Sequence, residues 1–173
     1  MFSLREWINK LASINEPLRP PGAIEETDFL DKCIRCRKCQ EVCPYDSIIT
    51  ARGNWGLAMG TPIISARDIP CYLCDDFPCI DVCPSEALLP VDSKEEVRMG
   101  IAVIDESLCF AYNNIICRAC YERCPIYREA ITLKDELFPV VHAEKCVGCG
   151  ICVNVCPTEP VSIKVDSRHR IDG

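Results

Sequence analysis

The first sixteen residues carry apolar side chains at helical spacing. Apolar residues three or four apart share one face of an α-helix, so the pattern predicts an amphipathic helix over residues 1–16. We expect this helix to pack on the body of the protein or on a partner subunit. Attachment to a membrane surface is a weaker alternative, because Arg5 and Lys10 are offset by Glu6. The apolar positions are Phe2, Leu4, Trp7, Ile8, Leu11 and Ile14.

Residues 17–32 follow as a predicted extended linker, because the Pro-Leu-Arg-Pro-Pro-Gly run at 17–22 disfavours a helix. Beyond it, the chain contains short stretches of β-branched and apolar residues that are typical of strands. Residues 52–62 are rich in glycine and predict a long crossing loop. Strands this short favour small lobes of α+β structure. The stretches cover residues 48–50, 101–104, 131–133, 139–141 and 161–165.

Sixteen cysteines occupy the segments around these stretches, in four groups of four that each end in Cys-x3-Cys-Pro. The first and last groups have the spacing Cys-x2-Cys-x2-Cys-x3-Cys. The second has four residues in its middle gap, and the third has seven in its first gap. The groups are Cys33, Cys36, Cys39 and Cys43; Cys71, Cys74, Cys79 and Cys83; Cys109, Cys117, Cys120 and Cys124; and Cys146, Cys149, Cys152 and Cys156.

This spacing is that of the bacterial ferredoxin run, in which three thiolates hold one [4Fe–4S] cluster and the fourth binds a neighbouring cluster. Cys39 and Cys43 are four residues apart, about one helical turn, so a short helix carries the fourth thiol away from the other three. Pro44 then ends the helix. Sixteen thiolates therefore predict four [4Fe–4S] clusters, in tandem bacterial-ferredoxin-like lobes of α+β class that bind two clusters each.

Disulfides and zinc are the alternative uses of so many cysteines. Three cysteines within seven residues cannot easily bridge one another, and no feature of the chain is typical of secretion. Structural zinc is usually bound by two separated ligand pairs, a pattern that these quartets do not follow. Iron–sulfur clusters are the favoured interpretation. No catalytic residue is predicted, because each group has its fourth cysteine and none leaves an open iron site.

Charge and hydropathy exclude several kinds of partner. The formal net charge of −7 disfavours nucleic acid and suits a protein surface. No run of eighteen apolar residues is present, so no segment is predicted to span a membrane. The first residues lack the features of an export signal, which predicts a cytoplasmic protein, with a peripheral membrane position as the alternative. Because the clusters would replace much of the apolar core, we expect folding to be coupled to cluster assembly.

The four groups recur at intervals of 38, 38 and 37 residues, counted from Cys33 to Cys71, Cys109 and Cys146, which indicates an internal repeat. Together with the segments between them, they resemble the NapG/MauM polyferredoxins of nitrate reductase and amine-oxidation systems. The second group is also similar to four-cluster subunits of molybdopterin oxidoreductases. The segments that carry the resemblance are Leu18-Arg-Pro-Pro-Gly-Ala-Ile24, Gly60-Thr-Pro62, Ala66-Arg-Asp-Ile-Pro-Cys71 and Met99-Gly-Ile-Ala-Val103.

The resemblance implies a nested sharing of thiols, first group with fourth and second with third. Consecutive sharing remains the alternative, because the nearly equal repeat intervals cannot choose between them. Nested sharing divides a double ferredoxin-like domain, residues 33–165, into a lobe from 33–50 and 140–165 and a lobe from 66–133, followed by a polar tail at 166–173. The implied sets are Cys33, Cys36, Cys39 and Cys156; Cys146, Cys149, Cys152 and Cys43; Cys71, Cys74, Cys79 and Cys124; and Cys109, Cys117, Cys120 and Cys83.

The function predicted from these features is non-catalytic transfer of single electrons within an oxidoreductase complex. The expected partner is a molybdenum- or tungsten-pterin catalytic subunit. The alternatives are a NapG-like role beside a membrane quinol-handling protein, and a structural or regulatory iron–sulfur module. No nucleotide-binding or nucleophile motif is present, so no small-molecule substrate is expected.

Charge differs between the cysteine groups. Acidic residues surround the second cysteine group, among them Asp75 and Asp76. Cations surround the first, and we expect this asymmetry to separate the cluster potentials and to give the electron path an entry at the acidic lobe and an exit at the basic lobe, or the reverse. Solvated surface charges with small effects are the alternative. The cations are Lys32, Arg35, Arg37 and Lys38.

Overall fold

The computed structural model describes residues 16–169. Residues 1–15 of the predicted N-terminal helix and the last four residues of the predicted tail lie outside this range. Among the described helices, none has the length and apolar character needed to cross a lipid bilayer. The cytoplasmic location stays a prediction, because it depends on residues outside the described range.

The first half of the described chain is built on short helices and a single β-hairpin. Strand β1 (Ile48–Thr50) pairs antiparallel with β2 (Pro62–Ile64), placing Ile48 opposite Ile64. Two 3-10 turns over Gly53–Ala58 connect the strands. An isolated antiparallel bridge between Ala23 and Leu88 closes this half of the chain. The helices are α1 (Glu26–Lys32), α2 (Lys38–Glu41) and α3 (Pro78–Asp81).

The second half contains two further antiparallel strand pairs. One pair joins β3 (Ile101–Ile104) to β6 (Ile163–Asp166), and the other joins β4 (Ile131–Lys134) to β5 (Phe138–Val141). Helices α4 (Ala119–Glu122) and α5 (Ile151–Asn154) pack on each other, as α2 and α3 do in the first half. Each half therefore combines short strands with two packed helices of one turn.

Five of the six described strands coincide with the predicted stretches. The sixth, β2, lies at the end of the segment predicted as a crossing loop, which instead forms a hairpin with β1. Residues 17–32 are also not wholly an extended linker, because α1 occupies their second half. Acidic residues in the first turn of α1 and Lys32 in its last turn complement the helix dipole.

The segment before α1 is anchored by a buried arginine. Arg19 is fully buried and forms a salt bridge with Glu26. It also donates hydrogen bonds to Thr61 Oγ1 at 2.6 Å and to the Pro62 carbonyl at 2.8 Å, and its guanidinium lies 4.4 Å from the Phe29 ring centroid. A buried charge needs such partners to offset its lost hydration. Arg19 thereby ties α1 to the hairpin of the first half.

The two halves meet along one continuous seam. The Cys71 N–H donates to the Cys149 carbonyl at 3.0 Å. Arg67 donates to the Cys156 carbonyl at 2.9 Å, and the Asn154 side chain donates to the Arg67 carbonyl at 3.1 Å. Gly150 faces Ala66 so closely that an added Cβ would lie 2.5 Å from the Ala66 Cβ. The seam therefore brings the second cysteine group against the fourth.

Candidate iron–sulfur sites

Four cavities in the described chain are each lined by four cysteines, and together they use all sixteen thiols. Their walls are mostly apolar. The cavities are named by the group that supplies three of the thiols. Site 1 has Cys33, Cys36, Cys39 and Cys83; site 2 has Cys71, Cys74, Cys79 and Cys43; site 3 has Cys109, Cys117, Cys120 and Cys156; and site 4 has Cys146, Cys149, Cys152 and Cys124.

Each site combines three thiols from one loop with a fourth from the packed neighbouring helix. Cys39 lies in α2 and lines site 1, whereas Cys43 follows α2 and lines site 2. Cys79 in α3 lines site 2, and Cys83 beyond it returns to site 1. One helical turn between the last two cysteines of a group therefore sends them to different sites. Helices α4 and α5 relate sites 3 and 4 in the same way.

The nested sharing expected from the resemblance is wrong for this structure. Cys83, not Cys156, completes the set around site 1, and Cys124 rather than Cys43 completes site 4. The physical reason is that α2 packs on α3 and α4 packs on α5, so that fourth thiols cross only between consecutive groups. The lobes change accordingly: residues 33–50 form a unit with the second group, not with residues 140–165.

Burial disfavours the thiolate form of many of these cysteines when no cluster is bound. It raises the pKa of five of them to about 12, and neighbouring thiols of the same site add to the effect, as Cys33 and Cys83 do at Cys39. Burial also raises the pKa of Cys152 well above its ordinary value. Iron cations would offset this cost, because a coordinated thiol loses its proton. The five are Cys39, Cys71, Cys79, Cys120 and Cys149.

The cysteine sets fit a cluster better than a single ion. Within residues 16–169, no three His, Cys, Asp or Glu side chains converge closely enough to bind one metal ion. The thiols instead surround a volume, as the corners of a [4Fe–4S] cube require. This arrangement disfavours the zinc alternative and supports the assignment of the sixteen cysteines as cluster ligands.

Hydrogen-bond donors reach some of the ligand sulfurs. The Ala102 N–H lies 3.4 Å from Cys146 Sγ. At site 3, Thr158 Oγ1 and Ser162 Oγ lie 3.2 and 3.3 Å from Cys156 Sγ. Burial opposes ionisation of Cys156, but hydrogen bonds from the hydroxyls and the backbone N–H groups of Ser162 and Thr158 together outweigh it and lower the pKa of this thiol. Such donors tune the potential of a bound cluster.

The four sites are arranged in the order 1, 2, 4, 3. Cys39 of site 1 lies close enough to Cys79 of site 2 to raise its pKa, after the larger effect of burial. Site 2 meets site 4 at the hydrogen bond between Cys71 and Cys149. Cys120 of site 3 similarly raises the pKa of Cys152 in site 4, again after burial. Sites 1 and 3 are therefore the two ends of the series.

Comparison with known proteins gives the same division of the chain. Family models described as 4Fe-4S dicluster domains match residues 32–87 and residues 102–163, each of which holds two consecutive cysteine groups. The ferredoxin-type protein NapG of Escherichia coli (strain K12) is 45% identical over 160 residues, covering 86% of this chain and 69% of the relative. The methylamine utilization ferredoxin-type protein MauM of Methylorubrum extorquens is 40% identical over 161 residues, covering 88% and 73%.

The chain belongs to the NapG/MauM family of ferredoxin-type proteins. The resemblance predicted from the sequence is thereby confirmed, and the chain is an iron–sulfur electron-transfer protein of this kind. No solved structure matches it.

The structure explains why NapG/MauM-type segments outside the cysteine groups matter. Arg19 and Thr61, from two of these segments, meet in the buried network of the first half. The segment before Cys71 forms the seam with the fourth group. The Met99 N–H donates to the Val147 carbonyl at 3.1 Å, beside site 4. The resemblance to NapG/MauM proteins pointed to these segments, but the sequence did not reveal that each of them supports a site or the seam.

Proposed function

We propose that this NapG/MauM-type chain is an electron wire that carries single electrons through four [4Fe–4S] clusters in the order site 1, site 2, site 4, site 3. The observation that carries the proposal is the unbroken series of four cavities, each with four thiols. A bound [4Fe–4S] cluster supplies one-electron redox chemistry. The cysteines bind the clusters, and the apolar walls of the cavities shield the greater part of each cluster from water.

Within residues 16–169, the parts of the chain outside these sites offer little for catalysis. The four cysteine-lined cavities take up both halves, and every thiol has a place in one of them. The reaction chemistry therefore belongs to a partner. Our first candidate is a large molybdenum- or tungsten-pterin oxidoreductase subunit, with this chain as its non-catalytic electron-transfer subunit.

A second candidate is a NapG-like component of a membrane quinol dehydrogenase. The identity of 45% to the NapG protein favours it. In that case the chain would receive electrons from a membrane quinol-handling protein rather than exchange them with a pterin enzyme. The redox role of the four sites is the same in both proposals.

The experiment is anaerobic purification of the tagged protein from its native cell, with identification of the proteins that co-purify. A molybdenum or tungsten subunit supports the first candidate, and a multi-span membrane protein supports the second. Iron and sulfide analysis with electron paramagnetic resonance (EPR) of the dithionite-reduced protein tests the wire itself. Clusters that are present but stay oxidised during turnover of the partner would contradict it and indicate a structural or regulatory iron–sulfur module instead.

A further inference from the structure

Site 1 is the end of the series that has an exposed cysteine. Of the sixteen cysteines, all within the described range, Cys36 is the one that is exposed. Its neighbour Ile34 is 64% exposed, although it lines the same cavity. Site 4, in the interior of the series, differs sharply, since Cys146, Cys149 and Cys152 are all buried.

The loop around Cys36 places two arginines in an unfavourable backbone conformation. Arg35 and Arg37 have φ values of 57° and 64°, in the left-handed region that side chains with a Cβ rarely adopt. The equivalent positions of the fourth group are Gly148 and Gly150, with φ values of 72° and 83°. Glycine meets this demand of the loop without strain, whereas arginine does not.

In the site 2 loop, the residues with a left-handed backbone are buried. Leu73 and Phe77 in the site 2 loop have φ values of 52° and 40°, and only 1% and 7% of each is exposed. Arg35 and Arg37 are exposed and bury no comparable surface. Asp46 and Glu86 also combine a positive φ with an exposed side chain, so the two arginines are distinguished by their position beside Cys36 and by their charge.

The surface around Cys36 combines positive charge with apolar contact area. Residues 32–38 hold four cations and no acidic residue, although the whole chain has a formal charge of −7. Arg35 Nε donates to the Met59 carbonyl at 3.2 Å and so fixes the 3-10 segment beside the site 1 loop. Met59 is 57% exposed. We call this surface the site 1 face; it consists of Lys32, Ile34, Arg35, Cys36, Arg37, Lys38 and Met59.

We propose that the site 1 face is the docking surface of an acidic redox protein that exchanges single electrons with the site 1 cluster. The inference rests on the proposed function, since it requires a reducible cluster in site 1. Charge complementarity selects the partner: cations surround the exposed ligand Cys36, so a partner with carboxylates around its own redox centre approaches most closely. Ile34 and Met59 supply the apolar centre of the interface.

The test uses ferricytochrome b5, an acidic haem protein, as the probe for the holoprotein. The protein is reduced with dithionite and freed of excess reductant. One electron then passes from a [4Fe–4S]⁺ cluster, which becomes [4Fe–4S]²⁺, to the ferric haem, which becomes ferrous. Stopped-flow absorbance of the haem gives the second-order rate constant at several salt concentrations. Because opposite charges meet at the site 1 face, the wild-type rate is expected to fall as salt increases.

The variants separate charge from strain. Arg35→Gln with Arg37→Gln is expected to lower the rate with cytochrome b5 roughly tenfold at low salt and to remove most of the salt dependence. Arg37→Lys keeps the charge, so this variant is expected to react at the wild-type rate and with the wild-type salt dependence. Arg37→Gly relaxes the backbone but loses the charge, so it is expected to react slowly with intact clusters. Lys164→Gln, an exposed cation on β6 in the other half, is the matched control and is expected to react at the wild-type rate.

Two results would overturn the docking proposal while leaving the wire intact. One is a wild-type rate with cytochrome b5 that rises with salt, as repulsion by the net negative charge would give. The other is a double variant with unchanged kinetics and unchanged EPR spectra of its reduced clusters. A wild-type protein with no reducible cluster would instead overturn the proposed function, and the docking proposal with it.

Discussion

Cys83 shows how a single residue decides which cysteine groups act together. It lines site 1 with the first group, after a helical turn that begins at site 2. Cys36→Ala and Cys83→Ala should therefore remove the same cluster. Each single variant is expected to retain about 12 iron atoms per chain, and the double variant also about 12. Iron and sulfide analysis of the anaerobically purified proteins gives these values.

The pair Cys36→Ala with Cys156→Ala is the control for this experiment. These cysteines line sites 1 and 3, so two clusters should be lost and about 8 iron atoms retained. A reversal, with about 12 iron atoms in this pair and about 8 in the pair Cys36→Ala with Cys83→Ala, would restore the nested sharing.

Thr158 and Ser162 should set the potential of the site 3 cluster. The Thr158 hydroxyl accepts a hydrogen bond from the Ser162 N–H at 2.7 Å, which leaves its own hydrogen for Cys156 Sγ. A donor to a ligand sulfur stabilises the reduced cluster, which carries more negative charge. Thr158→Val or Ser162→Ala is expected to lower the potential by roughly 20–60 mV, the equivalent of about 0.5–1.4 kcal/mol.

EPR-monitored redox titration measures this shift, with Ser85→Ala as the matched variant at site 1. Ser85 Oγ is 3.8 Å from Cys83 Sγ, so its removal should change a potential less. Equal shifts in the two variants, or none in either, would mean that these hydroxyls do not tune the clusters.

At this scale, every candidate ligand was predictable, because cysteine spacing encodes it. The partner of each fourth thiol was not, because the four repeats are nearly equally spaced and the choice depends on which helices pack together. The donors Thr158 and Ser162 carried no recognisable motif. Their position beside Cys156 follows from the fold of the segment after the fourth group.

Among the elements, the loop that leads into α5 depends strictly on a glycine. Gly148 has a φ of 72°, and a Cβ there would lie 2.5 Å from the backbone nitrogen and oxygen of Gly100. Gly148→Ala should therefore force the β3 segment away from site 4, destabilising the protein by more than about 3 kcal/mol. The half-life of the cluster absorbance in urea checks this, because loss of clusters makes unfolding irreversible.

Gly56→Ala is the matched control, since Gly56 also has a positive φ, 53°, but no atom within 4 Å of its added Cβ. It should cost only the backbone strain of a φ/ψ region that residues with a Cβ rarely adopt, about 1–3 kcal/mol. Equal half-lives for the two variants would show that the close contact between Gly148 and Gly100 is unimportant.

The strands were mostly predictable, because runs of β-branched residues stand out between the cysteine groups. β2 was missed because three residues that begin with Pro62 follow a glycine-rich loop, and only pairing with β1 makes them a strand. α1 was missed because the proline run before it suggested a linker. The acidic first turn and Lys32 were the signals that could have indicated it.

For the molecule as a whole, the order of the sites makes site 2 the only described route from site 1 to the second half. Cys74→Ala should remove the site 2 cluster and, with it, the spin–spin interaction between the clusters of sites 1 and 2. The EPR spectrum of the reduced protein is expected to lose the spin coupling of the site 1 cluster and to sharpen. Transfer of electrons from site 1 to the second half should slow sharply.

Cys117→Ala, at site 3 on the far end of the series, is the control. Its cysteine has intermediate exposure, as Cys74 does, but its cluster does not neighbour site 1. Coupling at site 1 should survive in this variant. Persistent coupling in Cys74→Ala would mean that the order is not 1, 2, 4, 3.

The order of the four sites could not be predicted from the sequence. Duplicated groups give equivalent sites, and the repeat does not reveal which two of them meet. The seam between Cys71 and Cys149 decides this, and it depends on contacts such as Gly150 against Ala66 that no single motif encodes.

Consecutive sharing of thiols also has a consequence for how the protein is made. The ligand sets of sites 1 and 2 are complete once Cys83 has been synthesised, whereas nested sharing would have left site 1 waiting for Cys156. Domains generally fold as units during synthesis, the first half before the second. Iron and sulfide can therefore enter the first half while the ribosome is still translating the second, so the exposed thiols of an emerging chain need protection from oxygen for only half of its length.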